Sequence, residues 1–166
     1  MSAWFTRVGE PLEPTEREQV ARYLRGLAIE PLSLVNVEDW REAARTIASP
    51  EWDPRWWNAE EEERTRLLTT LNSALGNAQV ARALSQVLEQ SIETVHGAAA
   101  IHAARGGLAD AALIRAAAGA LSQALYLARL AELARSGEEH PFSIKLGLFR
   151  EGRWPLGIFD GRYHIF

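Results

Sequence analysis

The sequence predicts a mainly α fold: about five helices around a long antiparallel helical hairpin, with a small C-terminal β-meander (α+β by strict count). Three observations carry this. Apolar residues recur at three- and four-residue spacing from about residue 15 to 136. Gly and Pro cut that stretch into segments. Residues 142–166 then switch to a shorter period, broken by Glu151-Gly152 and Asp160-Gly161. The 166 residues fit one domain, 1–166, helical over about 15–136 and β over about 142–166, with no repeat or linker dividing it.

The first helix is predicted over about 16–28. Thr15 and Glu18 have capping-box spacing, Val20, Tyr23, Leu24 and Leu27 supply an apolar face, and Pro31 stops it. Residues 31–37 read as an extended connector. A second helix is predicted to start from an Asn36 cap, with Glu38 and Asp39 favourable in its first turn, and to end before Pro50. In the segment 49–57, Pro50 and Pro54 interrupt Trp52, Trp56 and Trp57, which predicts a structured loop. Asn58 with Glu61 repeats the cap spacing and opens a third helix to about Leu75, stopped by Gly76-Asn77.

A long helix follows over about 78–105, with Val80, Leu84, Leu88, Ser91, Val95, Ala99 and His102 on one stripe and Gly106-Gly107 ending it. The last helix is predicted over about 109–134. At about 100° per residue, Arg115, Ser122, Tyr126 and Arg129 fall within an arc of roughly 60°, and Ala, Leu, Ile and Gly fill most of the rest. So narrow a polar strip predicts a helix surrounded on several sides, at the domain centre or at an oligomer interface. The small-residue runs 97–100 and 116–120 flank the diglycine and would let two antiparallel backbones approach closely, so this hairpin is predicted to be the core.

Strands are predicted over 143–150, 153–159 and 162–166. Two-residue turns would place Arg150 opposite Arg153 and Phe159 opposite Arg162. That register leaves apolar side chains on both faces, so the second face should need another helix, another subunit or a partner. Pro155 cannot donate to a ladder, which predicts a bulge or a simple two-stranded hairpin.

Composition narrows the function classes. A net charge of −4 gives no basic excess, so nucleic-acid binding is not expected; it would need Arg115, Arg129, Arg150, Arg153 and Arg162 on one surface. The absence of cysteine removes disulfides, thiolate chemistry and Cys-ligated metals. The N-terminal residues lack a signal core, and no uncharged apolar run reaches 18 residues, so a cytoplasmic protein without a membrane span is expected. Lys145 is the single lysine, and any Schiff-base chemistry would rest on it.

The chemical candidates are few. Glu93 and His96 form a Glu-x-x-His half-motif of the kind that binds metal in helical bundles, but a second copy and two further inward glutamates are missing. Glu138, Glu139 and His140 have the wrong spacing. Projection turns Glu93 and His96 toward solvent or the flank, so a metal site competes with a plain surface pair. His102 lies on the apolar stripe; it reads as a hydrogen-bonded core histidine or as part of a buried polar site with Ser91 and, across the hairpin, Ser122, Gln123 or Tyr126. Trp52, Trp56, Trp57 and Trp154 read as a ligand or partner surface, or as a local core where the loop packs on the sheet, joined by Trp4 and Phe5. No nucleophile elbow, phosphate loop or dinucleotide fingerprint is present, and no cofactor is predicted. The resulting expectation is a non-enzymatic protein-interaction or self-associating module, a homodimer with room for a protein partner. The alternative is a small-molecule- or metal-binding helical bundle, with or without catalysis.

Overall fold

A computed structural model describes residues 3–166. It is 63% helical, with six helices and a small four-stranded mixed sheet among the described residues, in agreement with a mainly α fold carrying a small β part.

The first helix, α1 (Pro14–Gly26), begins two residues earlier than predicted. Pro14 supplies a preset φ at the first helical position, and the Glu16 carboxylate accepts the Glu13 backbone N–H at 2.8 Å, so the box sits on Glu13 and Glu16 rather than Thr15 and Glu18. Strand β1 (Leu34–Asn36) lies within the predicted connector. Asn36 is thus in a strand, and the cap of α2 (Trp40–Ile47) is Asp39, whose carboxylate accepts the Glu42 N–H at 2.8 Å. The two-proline segment contains a two-residue strand, β2 (Trp52–Asp53). Asp53 accepts the Arg55 N–H at 2.9 Å and so serves the start of α3 (Arg55–Leu75), which places Trp56 and Trp57 in the first turn and Asn58 inside the helix rather than at its cap.

A single residue, Gly76 at φ +86°, separates α3 from α4 (Asn77–Arg105). Asp110 caps α5 (Ala111–Leu133) by accepting the Leu113 N–H at 2.9 Å. α4 and α5 form the predicted antiparallel hairpin, the most extensive pairing of elements in the fold. Ala99, Ala103, Ala117, Ala118 and Ala124 are buried, Val95 and Leu121 among them, whereas Gly97 and Gly119 have no neighbour where a Cβ would stand.

The predicted first strand of the meander is instead a helix, α6 (Pro141–Arg150). Pro141 occupies the first helical position, and His140 caps it, its Nδ1 accepting the Phe142 N–H at 3.2 Å. Ile144, Leu146, Leu148 and Phe149 are all buried because the helix is enclosed on several sides. Such a helix shows no polar stripe, and its apolar spacing imitates strand alternation. Arg150 therefore does not face Arg153 across a hairpin.

The sheet is completed by β3 (Pro155–Phe159) and β4 (Arg162–Ile165), in the order β1-β4-β3-β2, with β1 parallel to β4 and the other pairs antiparallel. Asp160 and Gly161, at φ +49° and +65°, make the predicted two-residue turn, and Phe159 does pair with Arg162. The ladder slips between Pro155 and Gly157, the bulge that Pro155 predicted. Across that slip the inward set changes face. Trp154, Leu156, Phe159 and Phe166 pack with Phe5, Trp40 and the helical hairpin, while Ile158, Tyr163 and Ile165 pack with Val20, Tyr23 and Leu24 of α1 and with Ile144 and Leu148. Both faces of the sheet are thus covered by elements of the same chain, and neither calls for a second subunit.

Candidate functional site

The structure separates the residues singled out from the sequence. Glu93 and His96 are exposed on α4, and no group of three or more His, Asp or Glu side chains among the described residues is placed to hold a metal ion. His102 is half-buried near the turn of the hairpin, and burial together with Arg105 holds its imidazole below the ordinary range. Tyr126 belongs to another cluster, with Leu67 and Leu71 of α3, beside the Arg64 guanidinium. Ser91 turns its hydroxyl onto the Val87 carbonyl of its own helix at 2.6 Å.

The tryptophans divide as well. Trp154 is buried against Phe5, Trp40 and Phe166, with Trp4 packed on the same cluster. Trp56 and Trp57 meet edge to face at 5.9 Å. Trp56 lies flat on the strand at Gly157, where a Cβ would come within 2.5 Å of its Nε1, while Trp52 and Trp57 stay exposed.

Two buried ionic clusters went unseen in the sequence. Arg153 is fully buried, its Nε and Nη2 donating to the two Glu16 oxygens at 2.8 and 2.9 Å, and its other hydrogens go to the carbonyls of Arg7, Glu10 and Pro11. It is therefore not part of any basic surface. In the second cluster Lys145 Nζ donates to both Glu60 oxygens at 2.8 and 3.0 Å, and the Tyr23 hydroxyl donates to Oε1 at 2.7 Å. The Trp56 ring covers the ammonium at 4.8 Å. Burial, then the Glu60 charge, pushes the Tyr23 and Tyr163 hydroxyls well above the usual phenol range. Lys145 spends its hydrogens on Glu60 and lies under aromatic rings, an arrangement that anchors α6 to α3 rather than offering a nucleophile. His140 is occupied in the same way. Its Nδ1 caps α6 and its Nε2 meets Glu63 at 2.7 Å, so neither nitrogen is left for proton transfer.

Among the described residues, an open cleft and unsatisfied polar atoms come together beside α2. Between the C-terminal half of α2 and the β3–β4 turn lies a cleft of about 380 Å³. Glu42, Arg45, Thr46 and Ser49 line one side, Glu51, Asp160 and Arg162 the other, and Phe159 with His164 the floor. β4 places His164 there because its neighbours Tyr163 and Ile165 take the opposite face of the strand. His164 is 9% exposed, its ring meets Phe159 edge-on at 5.6 Å, and neither ring nitrogen has a hydrogen-bond partner. Burial, reinforced by Arg162, lowers the imidazole below its ordinary range, outweighing the Phe159 backbone and the carboxylates of Glu42 and Asp160. Arg162 pairs with Asp160 at 3.2 Å, while the Arg45 guanidinium and the Glu51 carboxylate form no hydrogen bond with the described residues. A histidine near the C-terminus was visible in the sequence. Its position over α2 follows from the parallel β1–β4 pairing, which has no local signature.

Compared with known proteins, the chain matches no family model, no curated protein and no solved structure.

Proposed function

We propose that the protein is a non-enzymatic interaction module that associates with a second copy of itself through the outward side of the α4–α5 hairpin. The observation that supports this reading is the mismatch between what α5 is made of and how much of it the chain covers. An 18-residue window of α5 has a mean hydropathy of 1.3, apolar enough by length and composition to cross a membrane, yet only 33% of that window is buried. Ala111, Ala112, Arg115 and Gly119 are exposed along it. A second helical hairpin would cover such a side with small residues in close contact, and the interspersed Arg115, Ser122 and Arg129 suit a protein interface better than lipid. Gly97 and Gly119 support the same reading, since helix-interior glycine costs stability and nothing within the chain requires it at either place.

Light scattering on the purified protein tests the reading. A dimer has twice the 18.5 kDa of one chain. Gly119→Leu, which meets open space within the chain, should return the mass to that of a monomer while leaving the circular dichroism unchanged. A monomeric mass for the unaltered protein across the micromolar range would overturn it.

A further inference from the structure

The α2/β-turn cleft stands apart from the hairpin and does not depend on association. We propose that it is a binding site for a small basic α-amino acid, whose carboxylate pairs with Arg45, whose cationic groups meet Glu42 and Glu51, and whose polar atoms satisfy His164.

Three features argue for a ligand. The first is His164. Buried polar groups in folded proteins are nearly always bonded, and a histidine with both ring nitrogens unpaired under a cleft is the kind of exception that a bound molecule resolves. Turning the ring toward the cleft gives up the edge contact and the backbone interaction with Phe159, and lets the imidazole present one donor and one acceptor to a ligand.

The second is the balance of charge. Asp160 and Arg162 share one hydrogen bond and offset each other's charge, and one Glu42 oxygen accepts the Glu38 N–H at 2.7 Å. The other Glu42 oxygen, both Glu51 oxygens and the Arg45 guanidinium remain. That remainder sets two carboxylates against one guanidinium, a surplus of negative charge with both signs present. A purely anionic ligand would meet surplus carboxylates, and a simple amine would leave Arg45 unused. A molecule with several N–H donors and one carboxylate matches both.

The third is size. About 380 Å³ lies at the small end of the roughly 300–1,000 Å³ typical of small-molecule sites, and the Phe159 ring gives a cationic group an aromatic surface. A metal ion does not fit, because no three ligating side chains converge there among the described residues.

The test uses the full chain labelled with ¹⁵N-histidine, with the His164 imidazole signals assigned through His164→Gln. L-Arginine titrated near neutral pH should shift those signals saturably. n-Butylamine and acetate, each carrying one half of the recognition, should bind at least about tenfold more weakly. Arg45→Ala and Glu51→Gln alter exposed side chains and should leave the melting temperature in place while weakening L-arginine binding by about tenfold or more. Absence of a saturable shift with L-arginine would overturn the proposal. So would equal responses to butylamine or acetate, or variants that bind as the parent does.

Discussion

Arg153 and Glu16 meet through two hydrogen bonds in the interior, 137 residues apart in sequence, with neither side chain open to water. The same guanidinium gathers three carbonyls from the segment leading into α1, so one side chain fastens the N-terminal turns, α1 and the approach to β3.

Removing one partner of this pair should cost far more than removing both. Arg153→Met removes two hydrogen bonds from the buried Glu16 carboxylate, which keeps those from Arg7 and the Glu13 N–H, and leaves three carbonyls without their donor. A loss of about 3–5 kcal/mol in urea unfolding is expected. Arg153→Met combined with Glu16→Leu should recover part of that loss. A cost for Arg153→Met below about 1 kcal/mol would mean that the pair is unimportant to the fold.

Lys145 gives a chemical rather than a thermodynamic readout. As the single lysine, buried and bonded to both Glu60 oxygens, it should resist an amine-acylating reagent in the native protein and react once the chain is unfolded. Mass spectrometry of the peptide containing Lys145 decides this. Glu60→Gln should raise the native labelling rate by loosening the ammonium.

Acid should destabilise the protein in two stages. His164 and His102 have folded pKa values below the ordinary 6.5, each chiefly because of burial, so the unfolded chain takes up protons first as the pH falls through that value. Their neutral forms favour the fold above pH 6.5, and that contribution declines between 6.5 and the lowered values. Glu16 behaves as a depressed carboxylate. Burial alone would raise it, but the bonds from Arg153 and the Glu13 backbone, with the charges of Arg153 and Arg7, outweigh burial. Glu63 is depressed by Arg66 first and also by His140, against some burial. Their contribution holds above 4.5 and fades as the pH drops below it. Melting temperature against pH should therefore show two descents, and His164→Leu should shrink the first only.

Glycines provide matched opposites. Gly157 sits at φ +121° with Trp56 Nε1 at 2.5 Å from any added Cβ, so Gly157→Ala should cost about 3 kcal/mol or more through backbone strain and the displaced indole. Gly147 lies inside α6 with open space beside it, so Gly147→Ala should be neutral or gain up to about 1 kcal/mol. In thermal melts Gly157→Ala should fall well below the parent while Gly147→Ala holds or rises.

Much of the helical framework was legible because its signals are local. The diglycine at 106–107, the long stripe from Val80 to Ala99 and the Asp160-Gly161 turn each specify structure within a few residues. Caps slipped where two candidates lay close together, Glu13 for Thr15 and Asp39 for Asn36, since propensity alone does not rank neighbouring acceptors. The sequence of α6 imitates a strand because a helix buried on several sides loses its polar stripe. The Arg153–Glu16 and Lys145–Glu60 pairs, and with them the placement of His164, could not be seen at all, because each joins residues brought together only by the complete fold.

The parallel ladder of β1 with β4 also sets an order of assembly. Residues 34–36 must meet residues 163–165, with every helix except α1 in between, so the sheet closes a very long loop of chain. Such closure is slow compared with the pairing of two helices joined by a short turn. The α4–α5 hairpin can thus form early and serve as a template, and during that interval the aromatic side chains destined for the sheet stay uncovered. That interval is when the chain is most exposed to aggregation.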